Sequence, residues 1–360
     1  MSASEHDLDS LDATVASGEI PSAVDGIWRR RRRAERGQLG QIAGVTVLLV
    51  VVGLLASNDY QYTVLGLMMI YAIAGIGFYL ILGMSGQFAF SHAATLGLGA
   101  YTAAFVSRDH GFWLSLLAAL VVCAVISAVF KLLLWRASDF YFGIATLGLA
   151  EIAVIVFQAW QWFTGPAGNA NILTVPNLFG WQVDSPSSYY WFFIGFFVVG
   201  MLVVYFFRSS AMYRETIAVR DKPLTAAGLG IRNTRNQLIV YVIGSCYAAV
   251  AGALFAQDQG FISASSFDLN LGIDLFVVVI VGGMYSMWGA LVGAAFVVVL
   301  PQVIQSAQNY SQLIFATLLV VTIVLLPGGL MGLVGGLGQR ARRIAGRVTS
   351  RKAADGGTRA

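Results

Sequence analysis

The chain has 360 residues, of which 58% are hydrophobic and 11% charged, and its mean hydropathy is +0.74. A soluble domain carries about 25% charged residues, so water is excluded as the main solvent and a lipid environment is implied. The net charge is +4, yet the basic runs abut hydrophobic segments and read as anchors on a lipid surface, not as nucleic-acid contacts. Two cysteines and three scattered histidines form neither a disulfide framework nor a metal-ligand spacing.

Residues 1–28 are polar and acidic (Glu5, Asp7, Asp9, Asp12, Glu19, Asp25), with no apolar core for a cleavable signal. With the arginine run Arg29 to Arg33 they make an expected disordered, basic-ended cytosolic arm over 1–40. A membrane domain is expected over 41–326. Its apolar stretches fall near 41–56, 62–83, 90–106, 112–134, 141–162, 189–207, 237–256, 271–286, 288–306 and 311–326. Crossing the hydrocarbon layer as a helix takes roughly 20 apolar residues, so some of these are short enough to be tilted or broken. The Gly- and Ser-rich segment 86–99 either spans or re-enters. Ten-residue alternation is absent and backbone groups must be satisfied within each segment. The expected fold is therefore an all-α polytopic membrane protein of about ten transmembrane helices, with both termini cytosolic and a basic tail over 327–360.

Charge supports the same layout. Ten crossings from a cytosolic arginine run place every Lys and Arg inside except Arg108, whereas the outer connections 163–188 and 257–270 contain no base. Positive charge is retained on the cytosolic side during insertion. Trp160, Trp162, Tyr189, Tyr190 and Trp191 gather at the expected outer boundary and Trp135 at the inner one, as headgroup-level rings do. Glycines recur at close spacing (Gly75, Gly77, Gly83, Gly86; Gly97, Gly99; Gly282, Gly283, Gly289, Gly293), which lets helix backbones approach in lipid or permits broken helices.

The three lysines, Lys131, Lys222 and Lys352, do not follow a phosphate-cradling glycine loop, so the chain is not expected to hydrolyse ATP. The connection 208–236 is the long interior one. Asp221 reads as an N-cap, Pro223 suits a first helical turn, and Gly228 or Gly230 can end a short helix of about 222–228. Leu224, Ala227 and Leu229 would be its apolar contacts. On composition such a helix is equally a docking knob for a cytosolic partner or a surface helix on anionic lipid. Among polar residues within the spans, Glu151 should face protein or a water-filled path. His92, with Gln87 and Ser91, reads as bridging a broken segment, Asp268 as a loop or N-cap residue, and Asp274 as a route candidate.

Three stretches together resemble the permease family of branched-chain amino-acid ABC importers, in particular its longer permease. They are GMSGQFAFSHA at 83–93 with GLGAYTA at 97–103, then IATL at 144–147 leading to Glu151 and Ile152, then the 208–236 connection. The third continues through AGAL at 251–254, GFIS at 260–263, SFD at 266–268 and GGMYSMWG at 282–289. The resemblance covers roughly 60–335. It implies a non-catalytic permease in the bacterial plasma membrane that moves a small solute, by default a branched-chain amino acid, by alternating access. Implied partners are a homologous second permease, two cytosolic ATP-binding subunits and an extracytoplasmic solute-binding protein. ATP and Mg would be bound by those ATPases, leaving no cofactor in this chain. The coupling set would be Arg220, Asp221, Leu224, Ala227, Gly228 and Leu229, and the pathway set Gln87, Ser91, His92, Thr146, Glu151 and Asp274. Thr225 departs from the glutamate common in ABC-permease loops, and Gly228 interrupts the alanine run at 226–227. The rival is an ion-gradient-driven secondary transporter, which needs intramembrane acids; the chain offers Glu151 and Asp274.

Overall fold

The computed structural model describes residues 22–137, 139–171, 177–178, 181–304, 311–326 and 328–332. The first 21 residues and the basic tail beyond 332 lie outside the described residues. Residues up to Val52 and from Gly53 onward form two compact units. The described part of the first is helical: α1 (Ser22–Leu55) begins inside the arm expected to be disordered and ends in the apolar stretch Gly40–Leu55. Residues 27–39 are mostly good helix formers, so the basic run joins the apolar one without a break.

The second unit opens with α2 (Asp59–Met84), whose last six residues, Tyr79–Met84, widen into a π-helix. A non-helical segment, 85–91, leads to α3 (His92–Val106). Then come α4 (Phe112–Leu133), α5 (Asp139–Ala159) and the single turn α6 (Gln161–Thr164). After α7 (Pro186–Ser209) follow α8 (Ala211–Asp221), α9 (Pro223–Gly228) and α10 (Asn233–Gln259). The chain closes with α11 (Leu269–Gly282), α12 (Gly289–Ile304, with a π turn at Ala295–Val299) and α13 (Ser311–Leu325). Among the described residues six helices are long and apolar enough to cross a membrane: Asp59–Met84, Phe112–Leu133, Phe140–Ala159, Pro186–Ser209, Asn233–Gln259 and Ala264–Gly282, the last including a 3₁₀ turn before α11. Gly40–Leu55, Gly289–Ile304 and Leu313–Thr322 are shorter apolar helices. The chain is a multi-pass membrane protein, mostly helical, as its composition requires.

Helix α10 packs on α2, α3 and α4, and small residues set the spacing. A Cβ on Gly252 would overlap the Leu96 carbonyl, and one on Gly99 would lie 2.7 Å from Ala249 Cα. A Cβ on Gly244 would meet the Gly77 carbonyl at 2.7 Å. Lipid tails are as apolar as leucine, so close van der Waals contact, not escape from water, holds these helices together. The same device joins α11 to α12, where Gly293 lies against the Val278 carbonyl. Helices α4 and α5 instead keep wide apolar faces exposed: Leu117, Val121, Val125 and Val129 form one i, i+4 ridge.

Two strand pairs lie in the connections between helices. Strand β1 (Asn169–Asn171) pairs antiparallel with β4 (Phe261–Ser263), registering Ala170 against Ile262. Strand β2 (Asn177–Leu178) pairs with β3 (Trp181–Gln182). The first pair ties the loop after α5 to the link between α10 and α11, and Tyr101 Oη donates to the Gly168 carbonyl at 2.5 Å beneath it. Tyr190 is fully buried within the protein, its ring 6.1 Å from that of Tyr62.

Candidate functional site

The connection between α7 and α10 is two helices, not one short helix in a loop. Ser210 caps α8, its hydroxyl accepting from Tyr213 N at 3.3 Å. Thr216 and Val219, three apart, are buried and seat α8 on the bundle. Asp221 is the last residue of α8; Lys222, with φ −146°, holds the N-cap position of α9 expected for Asp221. The Asp221 carboxylate is taken by Arg220, whose Nε donates to it at 2.9 Å. Pro223 starts α9 as the sequence suggested.

The far end of α9 closes on glycine. Ile231 N donates to Ala226 O at 3.1 Å and Gly230 N to Ala227 O at 3.0 Å, with Gly230 at φ +82°. This paired 6→1 and 5→2 pattern needs a left-handed residue, which glycine adopts at no steric cost. Asn233 Nδ2 reaches back to Pro223 O at 3.0 Å, so a six-residue helix is held at both ends. Ala226 faces inward and is buried, whereas Ala227 and Gly228 are exposed. Leu224 is 89% exposed and Leu229 77%. Beside them an open cleft of about 720 Å³ lies between α8 and α10, lined by Met212, Glu215, Arg232, Arg235 and Ile239 among others. Glu215 accepts from Asn236 Nδ2 at 2.9 Å at its floor.

The pathway set divides. Gln87, Ser91, His92 and Thr146 meet around segment 85–91, all buried. Phe90 N donates to Thr146 Oγ1 at 3.1 Å on α5, and Ser91 Oγ lies 3.0 Å from Tyr241 Oη on α10. Gln87 Nε2 donates to Gln237 O at 3.2 Å, and His92 Nε2 lies 3.0 Å from Ala74 O on α2. Thr146 Oγ1 pairs backbone groups of the segment, Phe90 N and Phe88 O, that lack helical partners, as irregular chain inside a membrane protein requires, while Gln87, Ser91 and His92 tie the segment to α10 and α2. Gln87 Oε1 and His92 Nδ1 are buried without a partner.

Glu151 and Asp274 are not part of this cluster. Glu151 is exposed on α5 between exposed apolar side chains such as Ile152 and Ile155, and Asp274 is half-buried on α11. Asp268 caps α11, its Oδ1 accepting from Asn270 N at 3.0 Å and Leu271 N at 3.3 Å. The residues that sequence reasoning passed over are Gly83 and Tyr285 as partners of Arg220. Arg220 Nη1 donates to Gly83 O at 2.5 Å, and its guanidinium carbon stands 5.2 Å from the Tyr285 ring centroid. Those contacts join residues 137 and 65 positions apart, and no local signal announces them.

A family described as "Branched-chain amino acid transport system / permease component" matches residues 61–323. The chain is 27% identical over 288 residues to the high-affinity branched-chain amino acid transport system permease protein LivM of Salmonella typhimurium, covering 73% of this chain and 68% of that one. It is 24% identical over 285 residues to LivH, another such permease protein, of Escherichia coli (strain K12), covering 73% and 91%. A shorter match, 25% over 161 residues, is to the autoinducer 2 import system permease protein LsrC of Escherichia coli, covering 42% and 44%. No solved structure matches the chain.

Proposed function

The chain belongs to the family of branched-chain amino acid transport system permease components, and we propose that it is the membrane subunit of an ATP-driven importer in the bacterial plasma membrane. Its solute is a branched-chain amino acid or a related small amphipathic compound, the substrate named for the relatives LivM and LivH. A second, homologous permease pairs with it, two cytosolic ATPases bind ATP and Mg, and an extracytoplasmic binding protein delivers the solute. Ten crossings with both termini cytosolic put α8 and α9 on the side of the ATPases.

The observation that carries the reading is α9 itself. Leu224 on the six-residue α9 and Leu229 just after it, turned outward from a helix held at both ends, are an apolar knob within the basic connection 208–236. Inward motion of the knobs on ATP closure would open the pathway outward, and hydrolysis would reset it. Glu151 supports the pairing: a carboxylate on an exposed face of a membrane helix is costly against lipid, so that face of α5 meets the second permease or the solute route. Gln87, Ser91, His92 and Thr146 hold the broken segment beside that route. The ion-driven alternative is not favoured, because the family consists of transport-system permease components and Glu151 and Asp274 do not cluster.

Affinity purification of the tagged chain from its native membrane tests the proposal. ATPase subunits and a second permease should come down with it in fixed proportion; a chain that purifies alone and still transports would refute it.

A further inference from the structure

The resemblance implied a coupling role for Arg220, but its side chain is no part of the exposed face of α9: it turns into the bundle. It is 22% exposed, against 55% for Asp221 beside it. Its Nη1 donates to Gly83 O, in the last turn of the π-widened end of α2. The last carbonyls of a helix lack partners in the next turn, and a guanidinium there satisfies one while complementing the negative end of the helix dipole. Its aliphatic stem lies on Gly86, at φ +74°, where a Cβ would stand 2.8 Å from Arg220 Cγ. Its guanidinium faces the Tyr285 ring, in the link after α11. That link and the end of α2 also touch directly, since a Cβ on Gly83 would overlap the Met284 carbonyl.

One side chain therefore joins three elements: the end of α8, the point where α2 breaks, and the link that ends α11. Only Asp221 and Lys222 separate it from α9 in the chain. Asp221 holds the Nε edge, with Nη2 also 2.8 Å from Oδ1, so the planar fork is fixed in orientation. We infer that Arg220 is a positioning residue that carries displacement of the docking helix to the inner ends of α2 and α11, so that these two ends move together with α9. This rests on the docking role proposed for α9 and adds the route by which docking reaches the membrane bundle. A rigid fork gripping a carbonyl, a glycine and a ring transmits motion in a way that a surface ion pair, worth at most about 1 kcal/mol, does not.

The test uses the complete importer, with Cys123→Ala and Cys246→Ala removing the native thiols and Ser286→Cys placing one in the link after α11. The rate of reaction with a water-soluble maleimide is measured without nucleotide and after trapping with ATP and vanadate. With Arg220 present, the two rates should differ by about fivefold or more, the lower end of typical coupling between sites. In Arg220→Ala the ratio should fall towards one while the ATPases stay bound and trap nucleotide as before, and Arg220→Lys should fall between. Tyr285→Leu, at an exposed ring, is the second perturbation and should lower the ratio in part. An unchanged ratio in Arg220→Ala, or in Tyr285→Leu should the alanine variant not assemble, would overturn the inference. So would equal rates in the parent complex. A purely structural role would lower yield and leave the ratio alone. Failure of the docking proposal reads differently, as ATPases that remain bound when Leu224 and Ala227 are made acidic.

Discussion

Replacing Leu224 and Ala227 together by aspartate should detach the ATPases without disturbing the membrane bundle. Leu224 is 89% exposed and makes no core contact to lose, and Ala227 is exposed beside it. Burying a leucine side chain contributes about 2 kcal/mol. Burying even one poorly paired polar group adds a further penalty of about 2 kcal/mol. About 4 kcal/mol in all is roughly a thousandfold in a dissociation constant. The assay is stoichiometry of co-purified ATPase together with ATP hydrolysis stimulated by the loaded binding protein. Both should vanish while the quantity and thermal stability of the inserted permease remain at the parent level. Retained stimulation in the double variant would refute docking through α9; a fall in permease quantity would mean that the exposed face of α9 packs inside the bundle.

The interior gives further expectations. Gly252→Leu should drive α10 off α3, because even a Cβ there overlaps the Leu96 carbonyl; overpacking costs about 1–3 kcal/mol or more, read as a lower unfolding temperature in detergent. Tyr241→Phe removes the partner of Ser91 and should cost about 1 kcal/mol, again by thermal unfolding, with segment 85–91 becoming more open to hydrogen exchange. Glu151→Gln should leave insertion of the chain unchanged but weaken association with the second permease or slow uptake, whereas Glu151 facing lipid would make Glu151→Leu as active as the parent or more so.

Much of the architecture was legible because the membrane imposes it. Apolar stretches and helices coincide, and the end of α11 falls at Gly282 instead of 286 only because Gly283 takes φ +118°, a conformation that no hydropathy pattern reports. Helix α9 was legible through Pro223 and the glycines that end it. Helix α8 was not, although Ser210 with Thr216 and Val219 three apart was the available signal; reading 208–236 as one loop hid it. Asp221 looked like a cap because aspartate commonly is one, but the adjacent Arg220 engages its carboxylate and α8 runs through it. The polar set Gln87, Ser91, His92 and Thr146 stood out in an apolar chain, and their meeting at one break depends on α2, α5 and α10 converging there. Pairing of β1 with β4, like the grip of Arg220 on Gly83, joins distant residues through the fold.

Sidedness is the claim on which the importer account turns. Leu229 precedes α10 and Phe261 follows it, so a helix of 27 residues, ~40 Å long, separates them. Leu229→Cys and Phe261→Cys, each in a chain lacking other thiols, are to be exposed to a membrane-impermeant maleimide on intact spheroplasts. The account predicts labelling at 261 at once and at 229 only after the membrane is opened; labelling at 229 on sealed spheroplasts would contradict it.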